Sequence, residues 1–193
     1  MTDLRKFIRK YSLTPENLLL VQSLLKSVEW QKHGWSTDHG KTVKYVPNDI
    51  DIGYLKNGEM DWFLPFVQDS CLEYSQHFGN AETKTNGTSF ITKISYPCRF
   101  NRYEPGGEMT PHYDFVRYIF DGNNKGIPIF SIILLLNDNF EGGELIFNLG
   151  TDEIYKPEVK AGDMLIFPSG FLFEHWVTPV TSGIRYSLVH WAY

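Results

Sequence analysis

Residues 129–136 read IFSIILLL, with an apolar side chain at every position except Ser131. A strand with one face in water alternates apolar and polar residues, whereas a strand covered on both faces is apolar throughout. This run therefore predicts a central strand in a sheet that is covered on both sides.

Other short segments rich in β-branched and aromatic residues lie around this run, separated by clusters of Gly, Pro, Asn and Asp. They predict strands over residues 89–103, 127–136, 144–148, 163–168, 175–177 and 184–193. The first third of the chain predicts helices instead. Thr14 is suited to be an N-cap with Pro15 at the first helical position, and residues 61–77 form a second helical pattern.

Helices followed by many short strands favour an antiparallel barrel or jelly roll with the helices packed on one side. The expected fold class is therefore mainly β (α+β), with a double-stranded β-helix core and N-terminal supporting helices. A length of 193 residues fits one domain. We expect a helical support with loops over residues 1–88 and the β core over residues 89–193.

The composition narrows the function classes. A net charge of −5 argues against tight, sequence-independent binding of nucleic acid, which needs clustered Lys and Arg. The two cysteines, Cys71 and Cys98, are too few for a disulfide scaffold or a cysteine-based zinc site. The sequence has no signal-peptide pattern and no apolar run long enough to span a membrane, so we expect a cytoplasmic protein with no membrane partner.

The triplet His112-Tyr113-Asp114 offers candidate metal ligands. Residues i and i+2 of a strand point to the same face, so an imidazole and a carboxylate would project together. A surface histidine beside a solvated aspartate has the same pattern, and the triplet alone is weak evidence. His175 lies 61 residues beyond Asp114 and supplies a candidate third ligand. Two His and one Asp leave three metal positions open, which is typical of non-haem Fe(II) oxygenases.

Arg185 follows His175 by ten residues, inside the apolar segment 184–189. An arginine in a strand either points outward into water or, if it points inward, needs an anionic partner. The planar guanidinium binds a carboxylate through two parallel hydrogen bonds, so an inward Arg185 would suit a co-substrate that carries a carboxylate.

A series of motifs then resembles the 2-oxoglutarate- and Fe(II)-dependent dioxygenases, in particular the prolyl 4-hydroxylase-like branch. The motifs occur in the family's order between about Thr92 and Tyr193: RYEPGG at 102–107, PHYD at 111–114, IILLLN at 132–137, EGGEL at 141–145, AGDMLIFP at 161–168, HWV at 175–177 and GIRYS at 183–187, followed by Trp191. Each motif is modest evidence, but the ordered set is strong. The N-terminal helices resemble the family's supporting helices only in general.

The resemblance implies roles for individual residues. His112, Asp114 and His175 match the iron ligands, and Arg185 and Tyr103 match the residues that bind the distal carboxylate of 2-oxoglutarate. Ser187 shares the face of Arg185 and adds a further hydroxyl to this expected site. Positions lining the co-substrate pocket are matched by Leu135, Leu145, Val177 and Trp191, for which ordinary core packing is an equally good interpretation. The implied cofactors are Fe(II), 2-oxoglutarate as co-substrate, and ascorbate.

The resemblance also implies a reaction with O2, in which 2-oxoglutarate is converted to succinate and CO2 while an unactivated C–H bond is hydroxylated. A prolyl residue in a peptide or protein is the expected substrate. The alternatives are an oxygenase acting on a free amino acid or a small molecule, a cupin-like enzyme that uses no 2-oxoglutarate, and a catalytically silent binding module on the same barrel. A nucleic-acid base ranks low, because Trp191 stands where base demethylases of the superfamily carry a second arginine.

Two segments are expected to border the substrate cleft. Residues 115–127 and 35–58 are candidate mobile loops over its mouth, and Arg102, Tyr113, Arg117 and Trp176 are candidate lining residues. The remaining histidines, His33, His39, His77 and His190, lie outside the motifs and are interpreted as surface or structural residues.

Overall fold

The computed structural model describes residues 2–37, 42–46, 48–55, 58–78, 94–95, 97–114, 126–150 and 154–193. The helices are α1 (Pro15–Leu24) and α2 (Leu64–Phe78), with short 3-10 turns at Leu4–Phe7 and Leu25–Ser27. The strands are β1 (Arg9–Ser12), β2 (Glu29–Lys32), β3 (Trp35–Thr37), β4 (Thr42–Lys44), β5 (Asp51–Tyr54), β6 (Arg99–Tyr103), β7 (Met109–His112), β8 (Phe130–Leu135), β9 (Phe140–Gly142), β10 (Leu145–Asn148), β11 (Ile154–Tyr155), β12 (Asp163–Pro168), β13 (Glu174–Val177), β14 (Val180–Gly183) and β15 (Arg185–Ala192).

Two antiparallel sheets form the β core. The major sheet has the strand order β1-β12-β8-β15-β6-β5-β2, and the minor sheet has the order β11-β10-β13-β7. Strand β8 lies between β12 and β15, and five of its six side chains are buried. The prediction of a central strand over this run is therefore confirmed.

The two faces of the major sheet have different neighbours because side chains alternate along a strand. Ile132 and Leu134 of β8 belong to the apolar cluster that contains Phe63 and Val67, so this face packs against α2. Ile133, between them, packs against the second cluster, in which Tyr103 and Leu165 of the major sheet meet Met109, Phe147 and Val177 of the minor sheet. The candidate site lies on this inner face.

The two predicted helices are confirmed with small shifts at their ends. The hydroxyl of Thr14 accepts a hydrogen bond from the amide of Asn17 at 3.3 Å, which caps α1, and Pro15 is its first residue. Helix α2 begins at Leu64, and it buries Val67, Cys71 and Tyr74 against the sheet. Within the described residues, no helix combines the length and the apolar character that a membrane span requires.

Residues 1–88, expected to form a helical support and loops, also contribute strands. Strands β1, β2 and β5 belong to the major sheet, where β1 pairs with β12 and β5 pairs with β6. Each has four residues, which is too short for a clear alternating pattern. Gly53 marks a close approach, since a Cβ atom there would lie 2.2 Å from Cγ1 of Val28. These strands therefore depend on backbone pairing with their neighbours and on this close packing, and not on an alternating side-chain pattern.

Two other expectations change. The strand predicted over 89–103 spans only Arg99–Tyr103, and Ile94 makes an isolated bridge to Ala192, while residues 89–93 and 96 lie outside the described part. The segment 35–58, expected as a loop, contains β3, β4 and β5. Most of the other candidate lid, residues 115–125, also lies outside the described part, so its mobility stays a prediction.

Candidate metal centre

Two imidazoles and one carboxylate meet on the inner face of the minor sheet. His112 of β7 and His175 of β13 are directly opposite in the strand register, and their ring centroids are 4.4 Å apart. Asp114 follows two residues after β7 ends, so it approaches from outside the strand. Its Oδ1 is 3.5 Å from Nε2 of His112 and its Oδ2 is 3.7 Å from Nε2 of His175. The three ligand atoms lie within 4.8 Å of one another, close enough to hold one ion.

Backbone carbonyls fix the orientation of both rings. Nδ1 of His112 is 2.8 Å from the carbonyl oxygen of Thr110, and Nδ1 of His175 is 3.0 Å from that of Phe173. A carbonyl only accepts, so each Nδ1 carries the proton and donates it. Each neutral ring therefore presents the lone pair of Nε2 to the space beside Asp114, which is the form that a metal requires.

The protonation states agree with this arrangement. Burial by itself raises the pKa of Asp114, but His175 and His112 together hold that pKa below the usual range of a carboxyl. Burial lowers the pKa of His175, against the opposing effect of Asp114. At neutral pH the site therefore contains an ionised carboxylate and a neutral His175, as metal binding needs.

An inner cavity extends from the triad between the two sheets. Its lining includes the triad and six residues that face it from neighbouring strands: Tyr103, Leu145, Val177, Arg185, Ser187 and Ile133. Arg185 is only 2% exposed, and its Cζ lies 4.7 Å from the centroid of the Tyr103 ring, which is its partner across the β6–β15 ladder. Its Nη1 donates a hydrogen bond to the hydroxyl of Ser187 at 3.1 Å. The predicted co-substrate residues Tyr103, Arg185, Ser187 and Val177 are therefore brought together.

Arg185 is a buried cation with unused hydrogen-bonding capacity. Its Nε has no hydrogen-bond partner among the described residues, nor does Oδ1 of the neighbouring Asn101. No salt bridge in that part of the chain involves Arg185. Burial lowers the pKa of Arg185, although a guanidinium stays protonated at neutral pH. A buried, unpaired guanidinium beside a cavity is suited to an anionic ligand.

A glycine makes room for Arg185. Gly143 has a φ of +61°, and a Cβ atom there would lie 2.9 Å from Cδ of Arg185 and 2.9 Å from Cγ2 of Val180. Any larger residue would push the arginine away from its present position. Gly143, the second glycine of the EGGEL motif, therefore contributes directly to the geometry of the cavity.

An outer cavity adjoins the triad on its other side. It is lined by His112 and Asp114 together with His33, Trp35, Arg99, Met109, Tyr113 and Trp191. Trp35 packs edge-on against His112 with 5.5 Å between ring centroids, and against His33 with 5.0 Å. His33 is 8% exposed and its Nδ1 lies 2.9 Å from Oδ2 of Asp49. Tyr113, a candidate cleft residue, also lies here.

Several sequence-based placements change. Leu135 lines a third cavity, which shares Leu145 and Arg185 with the inner cavity, and Trp191 lines the outer cavity. Arg102 is paired with Asp51, and Trp176 alternates with His175 and so faces away from it. Arg117 and His39 lie outside the described residues. The interpretation of His33 as a surface residue is wrong, because it is buried and lines the outer cavity, whereas His190 is buried against Phe63, as expected of a structural residue.

The residues that were not identified from the sequence are Arg99, Asn101, Met109, Ile133 and Val189 in the inner cavity, and His33 and Trp35 in the outer one. A signal existed for Arg99 and Asn101, because they alternate with Tyr103 along one strand and so share its face. No local signal connects His33 or Trp35 to a triad some eighty residues away.

The residues fit Fe(II) and 2-oxoglutarate. The His2Asp set with correctly oriented Nε2 atoms matches a facial triad. The orphaned Nε of Arg185, next to the Tyr103 and Ser187 hydroxyls, matches a ligand with a carboxylate remote from the metal.

Comparisons with known proteins agree with this geometry. The model of the 2OG-Fe(II) oxygenase superfamily matches residues 98–193. A PKHD-type hydroxylase of Nitrobacter winogradskyi is 36% identical over 188 residues, which cover 93% of this chain and 74% of that protein. A PKHD-type hydroxylase of Paraburkholderia xenovorans is 35% identical over 106 residues, which cover 54% of this chain and 45% of that protein. The chain belongs to the 2OG-Fe(II) oxygenase superfamily, and its curated relatives are hydroxylases of the PKHD type.

Solved structures share the fold. A prolyl hydroxylase from Trichoplax adhaerens, in complex with a peptide fragment of the hypoxia inducible factor oxygen degradation domain, superposes with a TM-score of 0.68, at 18% identity over 97% of this chain and 83% of that one. A prolyl-4-hydroxylase from Pseudomonas putida superposes with a TM-score of 0.65. The two sequences are 18% identical, and the match covers 96% of this chain and 92% of that one. The predicted jelly-roll fold is thereby confirmed. The match spans less than half the length of several curated relatives.

Proposed function

We propose that this protein is a 2-oxoglutarate-dependent Fe(II) hydroxylase that acts on a prolyl residue in a peptide or protein. The observation that carries the proposal is that the His112, Asp114 and His175 triad and the unpaired, buried Arg185 border one cavity. The fold shared with prolyl hydroxylases, one of them in complex with a peptide, supports the substrate class. A free amino acid is the second candidate substrate, because Arg99 in the outer cavity offers a cation to its carboxylate.

The protein residues have distinct tasks in this proposal. His112, Asp114 and His175 hold Fe(II), and Arg185 with the hydroxyls of Tyr103 and Ser187 holds the distal carboxylate of 2-oxoglutarate. Iron and 2-oxoglutarate, when bound, would activate O2, so that one oxygen atom enters the C–H bond and the other enters succinate, with CO2 as the second co-product. Trp35, Tyr113 and Trp191 border the side from which substrate would enter. The apolar lining by Val177, Leu145 and Ile133 keeps the reacting centre dry.

The one-domain organisation forms part of the proposal, supported by the strands that the N-terminal part adds to the major sheet. Ascorbate is the expected reductant that keeps the iron reduced. Omission of ascorbate should therefore slow turnover progressively and leave the first turnovers unchanged.

Ligand-dependent stability tests the proposal without a known substrate. Mn(II) and 2-oxoglutarate bind the native state, so together they should raise the thermal midpoint, with about 2.7 kcal/mol of stabilisation at a hundredfold excess over Kd. Asp114→Ala should abolish the metal response, and Arg185→Ala should abolish the 2-oxoglutarate response alone. No response in the wild type would favour a binding module instead.

Turnover then identifies the substrate class. Proline-containing peptides are incubated with Fe(II), ascorbate and 2-oxoglutarate, and products are analysed by mass spectrometry. A product heavier by one oxygen atom that forms only with 2-oxoglutarate supports the proposal. Succinate formation that free proline stimulates and peptides do not would favour the free amino acid.

A further inference from the structure

Arg99 stands where the two cavities on either side of the triad meet. It belongs to β6, where it shares one face with Asn101 and Tyr103. Arg99 lines both the inner and the outer cavity, as do His112 and Asp114. Its side chain therefore lies beside the candidate metal ligands, on the path from the mouth to the co-substrate cavity.

The guanidinium of Arg99 has no anionic partner among the described residues. Its buried Nε has no hydrogen-bond partner, and none of the salt bridges found there includes it. Its Cζ lies 4.9 Å from the centroid of the Trp191 ring. Stacking on Trp191 holds the plane of the guanidinium in place, and the edge of a guanidinium, which includes the unpartnered Nε, matches the two oxygens of a carboxylate.

The acidic groups bordering the cavities are already engaged. Asp114 faces the Nε2 atoms of His112 and His175. Asp49, behind the outer cavity, accepts hydrogen bonds from His33 and from the amide of Ile50. Among the described residues, neither carboxylate is available to neutralise Arg99, which leaves its charge open to an anionic ligand.

The sum of the charges in the loaded site indicates the charge of this ligand. In the loaded site the two positive charges of Fe(II) and that of Arg185 equal the negative charge of Asp114 and the two of 2-oxoglutarate. The two histidines are neutral ligands. Arg99 then remains as one unmatched positive charge at the wall of a partly buried site, where an unpaired charge is costly.

We infer that Arg99 binds a carboxylate of the substrate, next to the C–H bond that is hydroxylated. The inference rests on the proposed function and specifies its substrate class as one that carries an anion close to the reacting ring. Two sources have this chemistry: the α-carboxylate of a free amino acid or chain terminus, and an acidic side chain beside the target residue of a peptide. Arg99 is thus a specificity-determining residue.

Matched acid and amide probes test this inference. The pairs are L-proline and L-prolinamide, acetyl-Gly-Gly-Pro with a free or an amidated carboxyl end, and acetyl-Gly-Pro-Glu-amide and acetyl-Gly-Pro-Gln-amide. Their Kd values are measured by calorimetry on the full chain loaded with Mn(II) and 2-oxoglutarate, and on the metal-free chain. In at least one pair the acid should bind roughly tenfold to a hundredfold more tightly than its amide, as for a charge-assisted hydrogen-bonded pair.

Variants assign the preference to Arg99. Arg99→Met should reduce the acid-to-amide ratio to about one, and Arg99→Lys should keep part of it, because lysine retains the charge but loses the planar fork. Arg102→Met is the matched control: it removes an arginine from the opposite face of β6, where Arg102 pairs with Asp51. The acid-to-amide ratio of Kd values is measured within each variant. A change in the folding stability of a variant therefore does not alter the ratio. The pair that shows the preference identifies the source of the carboxylate.

Three results would overturn the inference. One is an acid-to-amide ratio near one for every pair in the wild type. The second is a preference that persists in Arg99→Met. The third is a loss of 2-oxoglutarate affinity in Arg99→Met as large as in Arg185→Met, which would place Arg99 in the co-substrate site. A different result would refute the proposed function itself: wild-type protein that does not bind 2-oxoglutarate in a metal-dependent manner.

Discussion

Arg185 and Tyr103 face each other across the β6–β15 ladder, and the guanidinium lies 4.7 Å from the phenol ring. Strand pairing thus fixes both residues of the co-substrate cavity in one register. Tyr103 gives the arginine a ring to stack on but no negative charge. Among the described residues, this buried cation therefore has no counter-charge, and the metal-free protein is suited to take one from a ligand.

Replacement of Arg185 by methionine should separate stability from binding. Methionine has a similar length and needs no hydrogen bond, so metal-free Arg185→Met should gain about 1–3 kcal/mol in free energy of unfolding. Affinity for 2-oxoglutarate should fall by about a hundredfold or more. Urea denaturation and calorimetry measure the two effects. Arg102→Met, which breaks a salt bridge with Asp51, should instead lose stability; a loss in both variants would contradict this account.

Replacement of Asp114 by asparagine should abolish metal binding and leave the fold intact. The amide keeps the shape of the carboxylate but removes the charge that balances the ion. Titration with Mn(II), followed by electron paramagnetic resonance, should show at least a hundredfold weaker binding, and substrate-dependent succinate formation should stop. Asp163→Asn is the control, since Asp163 is a buried aspartate outside the site that pairs with Ser12 and Lys10. Normal turnover by Asp114→Asn would refute the assigned ligand set.

Gly143→Ala should act on the co-substrate through Arg185. The new Cβ would lie 2.9 Å from Cδ of Arg185, so the arginine must move, and KM for 2-oxoglutarate should rise about tenfold or more. The positive φ adds a loss of about 1 kcal/mol in stability. Gly150→Ala is the matched control, because Gly150 has a φ of +71° but nothing within 4 Å of its Cβ position. Both variants should lose stability, whereas KM should change in Gly143→Ala alone.

His190 should make stability fall as the solution becomes acidic. Burial lowers the pKa of His190 to about 4, although the hydrogen bond to the carbonyl oxygen of Ser95 opposes this effect. Below the unfolded-state pKa of about 6.5 the unfolded chain takes up a proton that the folded chain excludes. The free energy of unfolding should therefore drop by about 3 kcal/mol between pH 7.5 and pH 4 from this residue.

The contribution of His190 is isolated by comparison with His190→Asn, which can still donate to Ser95. Buried His175 also makes the free energy of unfolding fall as the pH is lowered. It does so equally in the wild type and in the variant, so its effect cancels when the two pH dependences are compared. Urea denaturation across this pH range should give a shallower pH dependence for the variant. Parallel curves for the two proteins would show that His190 is not the cause.

The sequence predicted the central strand, the two helices and the motifs of the β core, because their patterns are long or strongly spaced. The N-terminal strands could not be predicted in the same way. Strand β1 reads RKYS, and it is a strand only because β12 offers a paired backbone. Such pairing is a tertiary effect that overrides local propensity.

The candidate site shows the same division. His112, Asp114 and His175 were found through spacing, and Arg185 through its unusual place in an apolar strand. Leu135 shares the face of β8 that carries Ile133 but lines a different cavity, and no pattern in the sequence connects His33 to the site. Both depend on which cavity a side chain reaches, which strand alternation alone does not determine.

Strand β1 has a consequence for how the chain meets its neighbours. It covers the edge of β12, whose six residues DMLIFP are largely apolar and prone to pair. The outer position is then held by a strand with Arg9 and Lys10, charged residues that discourage another strand from adding to the sheet. Proteolytic removal of the first dozen residues would uncover β12 and make strand exchange between molecules the principal hazard of the trimmed protein.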